Sequence, residues 1–159
     1  MIQITLITVG SLKEDYLRTA AAEYGKRLSA YAQVTTHELR EARISNEDDP
    51  SAVAAALDTE AEAILSHIPR GAKVFALCVE GKQLSSEELA ARIGEEQDTS
   101  GKLCFIIGSS HGLSPRIKAA ADLRLSFSRM TFPHQLMRVL LLEAIYRSET
   151  ILAGKKYHK

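Results

Sequence analysis

The side chains best suited to chemistry gather in one stretch, Leu125 to Lys159, which reads LSFSRMTFPHQLMRVLLLEAIYRSETILAGKKYHK. His134, just after a Thr-Phe-Pro turn, is the best single candidate for a general base, because an imidazole exchanges its proton near neutral pH. A His134 that merely stabilises the turn is the other reading. Arg138 lies one turn further on, and Arg147 further along the same helix. Each guanidinium can grip a phosphate or serve as an internal ion-pair partner, for instance Arg147 with Glu143 at i, i+4. Tyr157 and His158 can stack on or hydrogen-bond a splayed nucleobase, with Lys155, Lys156 and Lys159 on the phosphates around it.

The distribution of charge supports such a patch more than the total does. The chain carries 20 basic and 20 acidic residues and is formally neutral. From Arg124 onward there are seven basic residues against Glu143 and Glu149, leaving +5 on the final segment and −5 on the remainder. Solvated helix faces would give the same excess, as would a local anion or RNA footprint.

A second motif, Gly108-Ser109-Ser110-His111-Gly112, admits two chemistries. It fits the G-x-S-x-G nucleophile elbow of a serine hydrolase, with Ser110 as nucleophile and Asp122 and His134 following in order. Against this, Ser114-Pro115 delays the next helix, and Asp122 falls just before a strand rather than after one. In the other reading the glycines let bare backbone approach a nucleotide-like ligand with no Cβ in the way.

These groups need a scaffold, and the pattern of apolar residues supplies it. Ile2–Val9, Gln33–Leu39, Lys73–Val79, Lys102–Ile107 and Leu123–Ser128 read as strands, the second near an edge. Between them, Leu12, Tyr16, Ala20, Tyr24 and Leu28 recur at helical spacing, Ala52–Ile68 forms a helix stopped at Pro69, and Ser85 or Ser86 caps a third helix to about Gln97. Ser114-Pro115 starts a short helix, and Pro133 opens a last one to about Leu152. Alternating strands and helices with continuous apolar runs mean a mostly parallel sheet covered on both faces: an α/β fold, one domain spanning 1–159. Ligands in such sheets bind beyond the carboxyl ends of strands. The segments Glu80-Gly81-Lys82, Gly108–Gly112 and Arg129–His134 are expected to converge there on one pocket. The last helix is apolar almost all round, so it must be buried on several sides, for which a dimer interface is one solution.

Cys78 and Cys104 both fall in strand-like runs and are expected to be buried free thiols; no metal-ligand spacing is present. Met1–Val9 is too short for a signal h-region, and no segment approaches membrane-spanning length. A cytoplasmic location without a membrane or metal partner is the expectation.

The run Ser126-Phe127-Ser128-Arg129-Met130-Thr131-Phe132-Pro133-His134, the helix through Tyr146-Arg147 and the closing Tyr157-His158-Lys159 resemble the bacterial ribosomal RNA large-subunit methyltransferase H family of the SPOUT superfamily. Val9-Gly10 with Leu12-Lys13, Glu23-Tyr24 with Lys26-Arg27-Leu28, Gly81-Lys82 with Leu84-Ser85-Ser86, and Ile107-Gly108 match in order and spacing, with Ala32–Glu62 matching loosely. The resemblance implies a deep C-terminal trefoil knot over about residues 73–152, a homodimer, and S-adenosylmethionine as methyl donor. It implies as acceptor N3 of a pseudouridine in 23S rRNA within the ribosome. It places the cofactor against Leu77, Gly108, Phe127, Ser128, Arg129, Met130, Thr131 and Phe132. His134, Arg147, Tyr157 and His158 would be catalytic, and Arg138, Lys155, Lys156 and Lys159 would contact RNA. Two departures stand out: Ser109 where the family commonly has glycine, and His111 where it has Asn or Glu. A non-catalytic nucleotide-binding module is the remaining alternative.

Overall fold

The computed structural model describes residues 1–159. In chain order the elements are β1 (Ile2–Val9), α1 (Asp15–Leu28), β2 (Ala32–Leu39), α2 (Pro50–His67), β3 (Lys73–Gln83), α3 (Ser86–Asp98), β4 (Lys102–Ile107), α4 (Pro115–Ala120), β5 (Leu123–Ser126) and α5 (His134–Leu152). The strands form one parallel sheet in the order β2-β1-β4-β3-β5. The weakly alternating β2 is indeed an edge strand, while β1 and β4 lie inside and are buried almost throughout.

Period-two alternation sends successive residues of the inner strands to opposite faces. Ile4, Leu6, Leu103 and Phe105 join Leu28, Ile93, Leu141 and Ile145 in a core shared with α1, α3 and α5. Ile7, Val9, Cys104 and Ile106 join Ala61, Ile64 and Ile117 in a second core under α2 and α4. The helices start where the capping chemistry says they should. Asp49 accepts from the Ser51 N–H before Pro50, Ser85 and Glu88 form a reciprocal capping box, and Ser114 accepts from the Arg116 N–H before Pro115. Pro133, at the start of α5, has no side-chain cap to offer.

Two strands differ from the sequence reading. β3 does not end at Val79 but continues through Glu80-Gly81-Lys82 to Gln83. Leu77 and Lys82 both stand opposite Leu125, so the residues between them bulge out of the ladder. Gly81 makes this possible, since a Cβ there would come within 2.7 Å of the Arg124 carbonyl oxygen. β5 is shorter than Leu123–Ser128: the Ser126 hydroxyl donates to the Ser128 carbonyl at 3.0 Å and turns the chain out of the sheet.

α5 is the most enclosed helix. It packs on α1, α3 and β4, and only Leu152 at its end is exposed. Within one chain this buries Val139, Leu141, Leu142 and Ile145, while Leu136, Met137, Leu140 and Ala144 are only half-buried. No helix is long and apolar enough to cross a membrane.

Candidate active site

The carboxyl ends of β3, β4 and β5 enclose a cleft of about 660 Å³. Leu77, Cys78, Val79 and Glu80 form one wall, Ile107–Leu113 a second, and Phe127, Ser128 and Met130–His134 a third. Three segments far apart in sequence therefore meet, as expected for this sheet class. The first does so only in part, because Gly81 and Lys82 face a neighbouring polar cleft with Arg124.

Each wall has a local cause. At Gly108 the chain doubles back so tightly that a Cβ would stand 2.3 Å from the Gly112 carbonyl oxygen. Gly112 itself has φ +85°, and Ser109 and Gly112 form an isolated antiparallel bridge. Ser109 is buried, and its hydroxyl accepts from the His111 N–H at 3.3 Å, so the loop's own backbone holds it. Beneath the loop lies the buried Glu60. Burial pushes its carboxyl up, opposed by hydrogen bonds from the Ala42 N–H and the Ser109 side chain.

The third wall is irregular chain. Within Phe127–Phe132 the Met130 N–H donates to the Ser128 hydroxyl at 3.0 Å, while the other backbone N–H groups of the run have no partner in the protein. Unpaired backbone donors beside Leu77, Leu125 and the Phe127 and Phe132 rings suit a flat heteroaromatic ligand with polar edges. Of the eight residues assigned to a cofactor from sequence, Leu77, Gly108, Phe127, Ser128, Met130, Thr131 and Phe132 line the cleft. Arg129 does not. It is exposed and lies outside the lining.

His134 lies on the cleft wall at the first turn of α5. Its imidazole packs on Gly10, whose φ of +99° carries the chain out of β1, and a Cβ there would approach His134 Nε2 to 3.4 Å. The neighbouring Gln135 accepts the Lys13 N–H at 2.9 Å, which ties α5 to the loop after β1.

The remaining candidates sit elsewhere. Arg138, read as an RNA contact, is buried to 7% exposure. It donates to Glu38 at 2.7 Å, to the Thr8 hydroxyl at 2.8 Å and to the Gly10 carbonyl at 3.0 Å. The RNA assignment is corrected: the guanidinium is buried and its bonds run inward, so the side chain is the internal ion-pair partner and not a surface contact for a phosphate. Arg147 makes the i, i+4 pair with Glu143 at 2.6 Å, lies over the Tyr157 ring with its carbon 4.8 Å from the centroid, and meets His158 Nδ1 at 3.2 Å. Its pKa is raised, chiefly by the hydrogen bond to Glu143. His158 Nε2 reaches Glu87 of α3 at 2.8 Å. The tail is therefore folded onto α3 and α5 and not frayed. Arg147 lines a second cleft with Ser85, Leu140 and Glu143 that shares Leu125 and Phe127 with the first. None of Arg147, Tyr157 and His158 lines the first cleft of the same chain. Lys155, Lys156 and Lys159 are exposed.

The serine-hydrolase reading fails on geometry. The Asp122 carboxylate accepts from the Val74 N–H at 2.8 Å and pairs with Lys73, at the amino end of β3 and so across the sheet from Ser110. Ser110 contacts only the adjacent His111, at 3.4 Å, so no triad forms.

Sequence reasoning brought Glu80 to the cleft but missed two residues beside it, Cys78 and Lys118. Cys78 is half-buried on the wall, not buried like Cys104, because it belongs to the β3 bulge. Lys118 and Glu80 form an ion pair there, and Glu80's pKa is lowered first by that hydrogen bond. Lys118 lies in the last turn of α4, the short helix after the glycine turn, and that closeness in sequence was the one signal that it lay near the cleft.

Comparison with known proteins agrees with this architecture. Residues 2–158 match the family described as predicted SPOUT methyltransferase. The chain is 48% identical over 158 residues to a ribosomal RNA large subunit methyltransferase H of Bacillus pumilus, covering 98% of this chain and 99% of that one. It is 49% identical over 163 residues to the protein of that name from Bifidobacterium adolescentis, with 99% of each covered. Among solved structures, a probable methyltransferase from Bordetella pertussis superposes with TM-score 0.54 at 15% identity, over 92% of this chain and 93% of that one. A probable methylase family protein from Haemophilus influenzae gives 0.52 at 16%, over 99% of this chain and 70% of that one. At such identities the structures speak for the fold; the family model and near-half identities over the full length speak for descent. The chain belongs to the SPOUT methyltransferase family, within its ribosomal RNA large subunit methyltransferase H group.

Proposed function

We propose that this protein binds S-adenosylmethionine in the cleft and methylates N3 of a pseudouridine in 23S rRNA, as a cytoplasmic homodimer acting on the ribosome. The observation that carries the reading is the meeting of Gly108 with the unpaired backbone of Phe127–Phe132 in a chain of this family. The cleft volume lies within the roughly 300 to 1,000 Å³ usual for small-molecule sites. Its glycine turn and apolar walls fit an adenosine, and Leu77, Gly108, Phe127, Ser128, Met130, Thr131 and Phe132 would hold the cofactor. Support for substrate class comes from the relatives' names.

When bound, S-adenosylmethionine supplies a methyl group already activated on a sulfonium. The protein's work is then to orient the acceptor, exclude water and manage one proton. His134 would accept or share the imide proton of the acceptor. Arg147, Tyr157 and His158 would hold the base and its phosphate, and Lys155, Lys156 and Lys159 the flanking backbone. Because this tail rests outside the first cleft of its own chain, a partner subunit's tail completing each site is part of the proposal. So is the knot over about residues 73–152 of the single domain, supported by the return of α5 from the β5 edge to a place between α1 and α3.

The test is transfer of labelled methyl groups to ribosomes lacking the modification, with free subunits and assembled ribosomes compared and the labelled nucleotide mapped. Label at pseudouridine N3 is expected. Cofactor binding without transfer would instead establish a non-catalytic nucleotide-binding module.

A further inference from the structure

We propose that Arg138 is a positioning residue for His134, fixing the first turn of α5 against the carboxyl end of β1. The inference rests on the reading of His134 given above.

The guanidinium lies across a paired position of the sheet, since Thr8 and Glu38 face each other in the β1–β2 ladder. It donates to both side chains and to the carbonyl of Gly10 two residues on. Its Nε is buried with no partner. A buried arginine with one donor unmet is a poor device for stability, because an apolar side chain of similar size would serve as well or better. What it does provide is a directional clamp between one helix and the ends of two strands.

The clamp matters because of what His134 lacks. The imidazole makes no hydrogen bond that would fix its ring to the protein, and Pro133 provides no side-chain cap to hold the helix start. Its place is set by its neighbours: by the Gln135 side chain accepting from the Lys13 N–H on one side, and by Gly10 against the ring on the other. Arg138 sits one helical turn below His134 and holds the carbonyl of that same Gly10. Helix, glycine and imidazole therefore move together or not at all.

The test is a double-mutant cycle in the full-length protein, with kcat measured at saturating S-adenosylmethionine and ribosomes. Arg138→Lys keeps the charge and loses the fork. It is expected to lower kcat about tenfold or more, the scale of a small misplacement of a catalytic group. The cofactor Kd should stay within about twofold of wild type, as no cofactor contact changes. In a His134→Ala background the same substitution should change the residual rate by less than about twofold. Thr8→Val, which removes one acceptor at nearly constant volume, should repeat the pattern more weakly. Equal losses in both backgrounds, or an unchanged kcat in folded protein, would overturn the proposal. A second readout needs no activity. In protein with carbon-labelled histidine, Arg138→Lys should shift or broaden the His134 ring resonance, assigned by His134→Ala, and leave those of His37 and His67 in place. An unmoved His134 signal sinks the positioning claim. A wild-type protein that moves no methyl group sinks the functional reading instead.

Discussion

Tyr157 donates its hydroxyl to Glu143 Oε1 at 3.1 Å, and the same oxygen receives Arg147 at 2.6 Å. One carboxylate oxygen thus anchors the aromatic and the cationic part of the tail together. Its partners are less than a third exposed, unlike the peripheral contact of His158 with Glu87. Glu143→Gln should loosen the tail, lowering stability by about 1 kcal/mol and speeding tryptic cleavage at Lys155 and Lys156. Glu87→Gln should leave the cleavage rate as it is. Equal behaviour of the two variants would show that Glu143 is not the anchor.

Gly10 is required by its φ of +99°, and a Cβ there would come into van der Waals contact with the His134 ring at 3.4 Å. Gly10→Ala should cost about 1 to 2 kcal/mol from the left-handed conformation alone, read from urea unfolding. It should also lower methyl transfer by more than that loss of folded protein explains. A variant as stable and active as wild type would refute the close approach.

The two thiols should separate by access. Burial pushes Cys104 up to about 12. Burial also raises Cys78, although it lies on the cleft wall. An aromatic disulfide reagent near neutral pH should label one cysteine slowly, and the second only after urea is added. Saturating S-adenosylmethionine should slow the first reaction. Labelling that ignores the cofactor would argue that the ligand does not occupy that wall.

Alkaline pH should weaken the fold over a defined range. Cys104 is raised from 9.0 to about 12, and Tyr157 from 10.0 to about 12, the latter by burial and then by its hydrogen bond to Glu143. Both are acids that the folded chain keeps protonated while the unfolded chain releases the proton. Their contribution is therefore fully present below about pH 9 and lost as pH rises toward 12. The urea midpoint should fall across that interval, and Tyr157→Phe should flatten the part above about pH 10. A midpoint independent of pH there would contradict the assignment.

The order of strands and helices, the edge position of β2 and the convergence of Gly108 with the Pro133 turn were all readable from period, caps and breakers. Those are local signals, and the sheet obeys them. What escaped was long-range. The bulge that lets Leu77 and Lys82 share one partner depends on how Gly81 meets Arg124, which no window of sequence contains. For Arg138 the sequence leaves an RNA contact and an internal ion pair both open, because a guanidinium's type does not reveal where its stem leads. Its partners Thr8 and Glu38 lie 130 and 100 positions away. The Arg147–Glu143 pair was visible as a spacing, but that Tyr157 closes over it was not, since the tail's return onto α5 is a long-range contact.

The placement of α5 bears on how the chain is made. Ile2, Ile4 and Leu6 share a core with Leu141, Leu142 and Ile145, so the first strand waits for the last helix. A nascent chain emerging from the ribosome must hold the apolar faces of α1 and α3 uncovered until α5 has been synthesised and docked. Such remote pairings slow folding and expose sticky intermediates. Slow refolding, with a marked benefit from chaperones during synthesis, follows from where that helix sits.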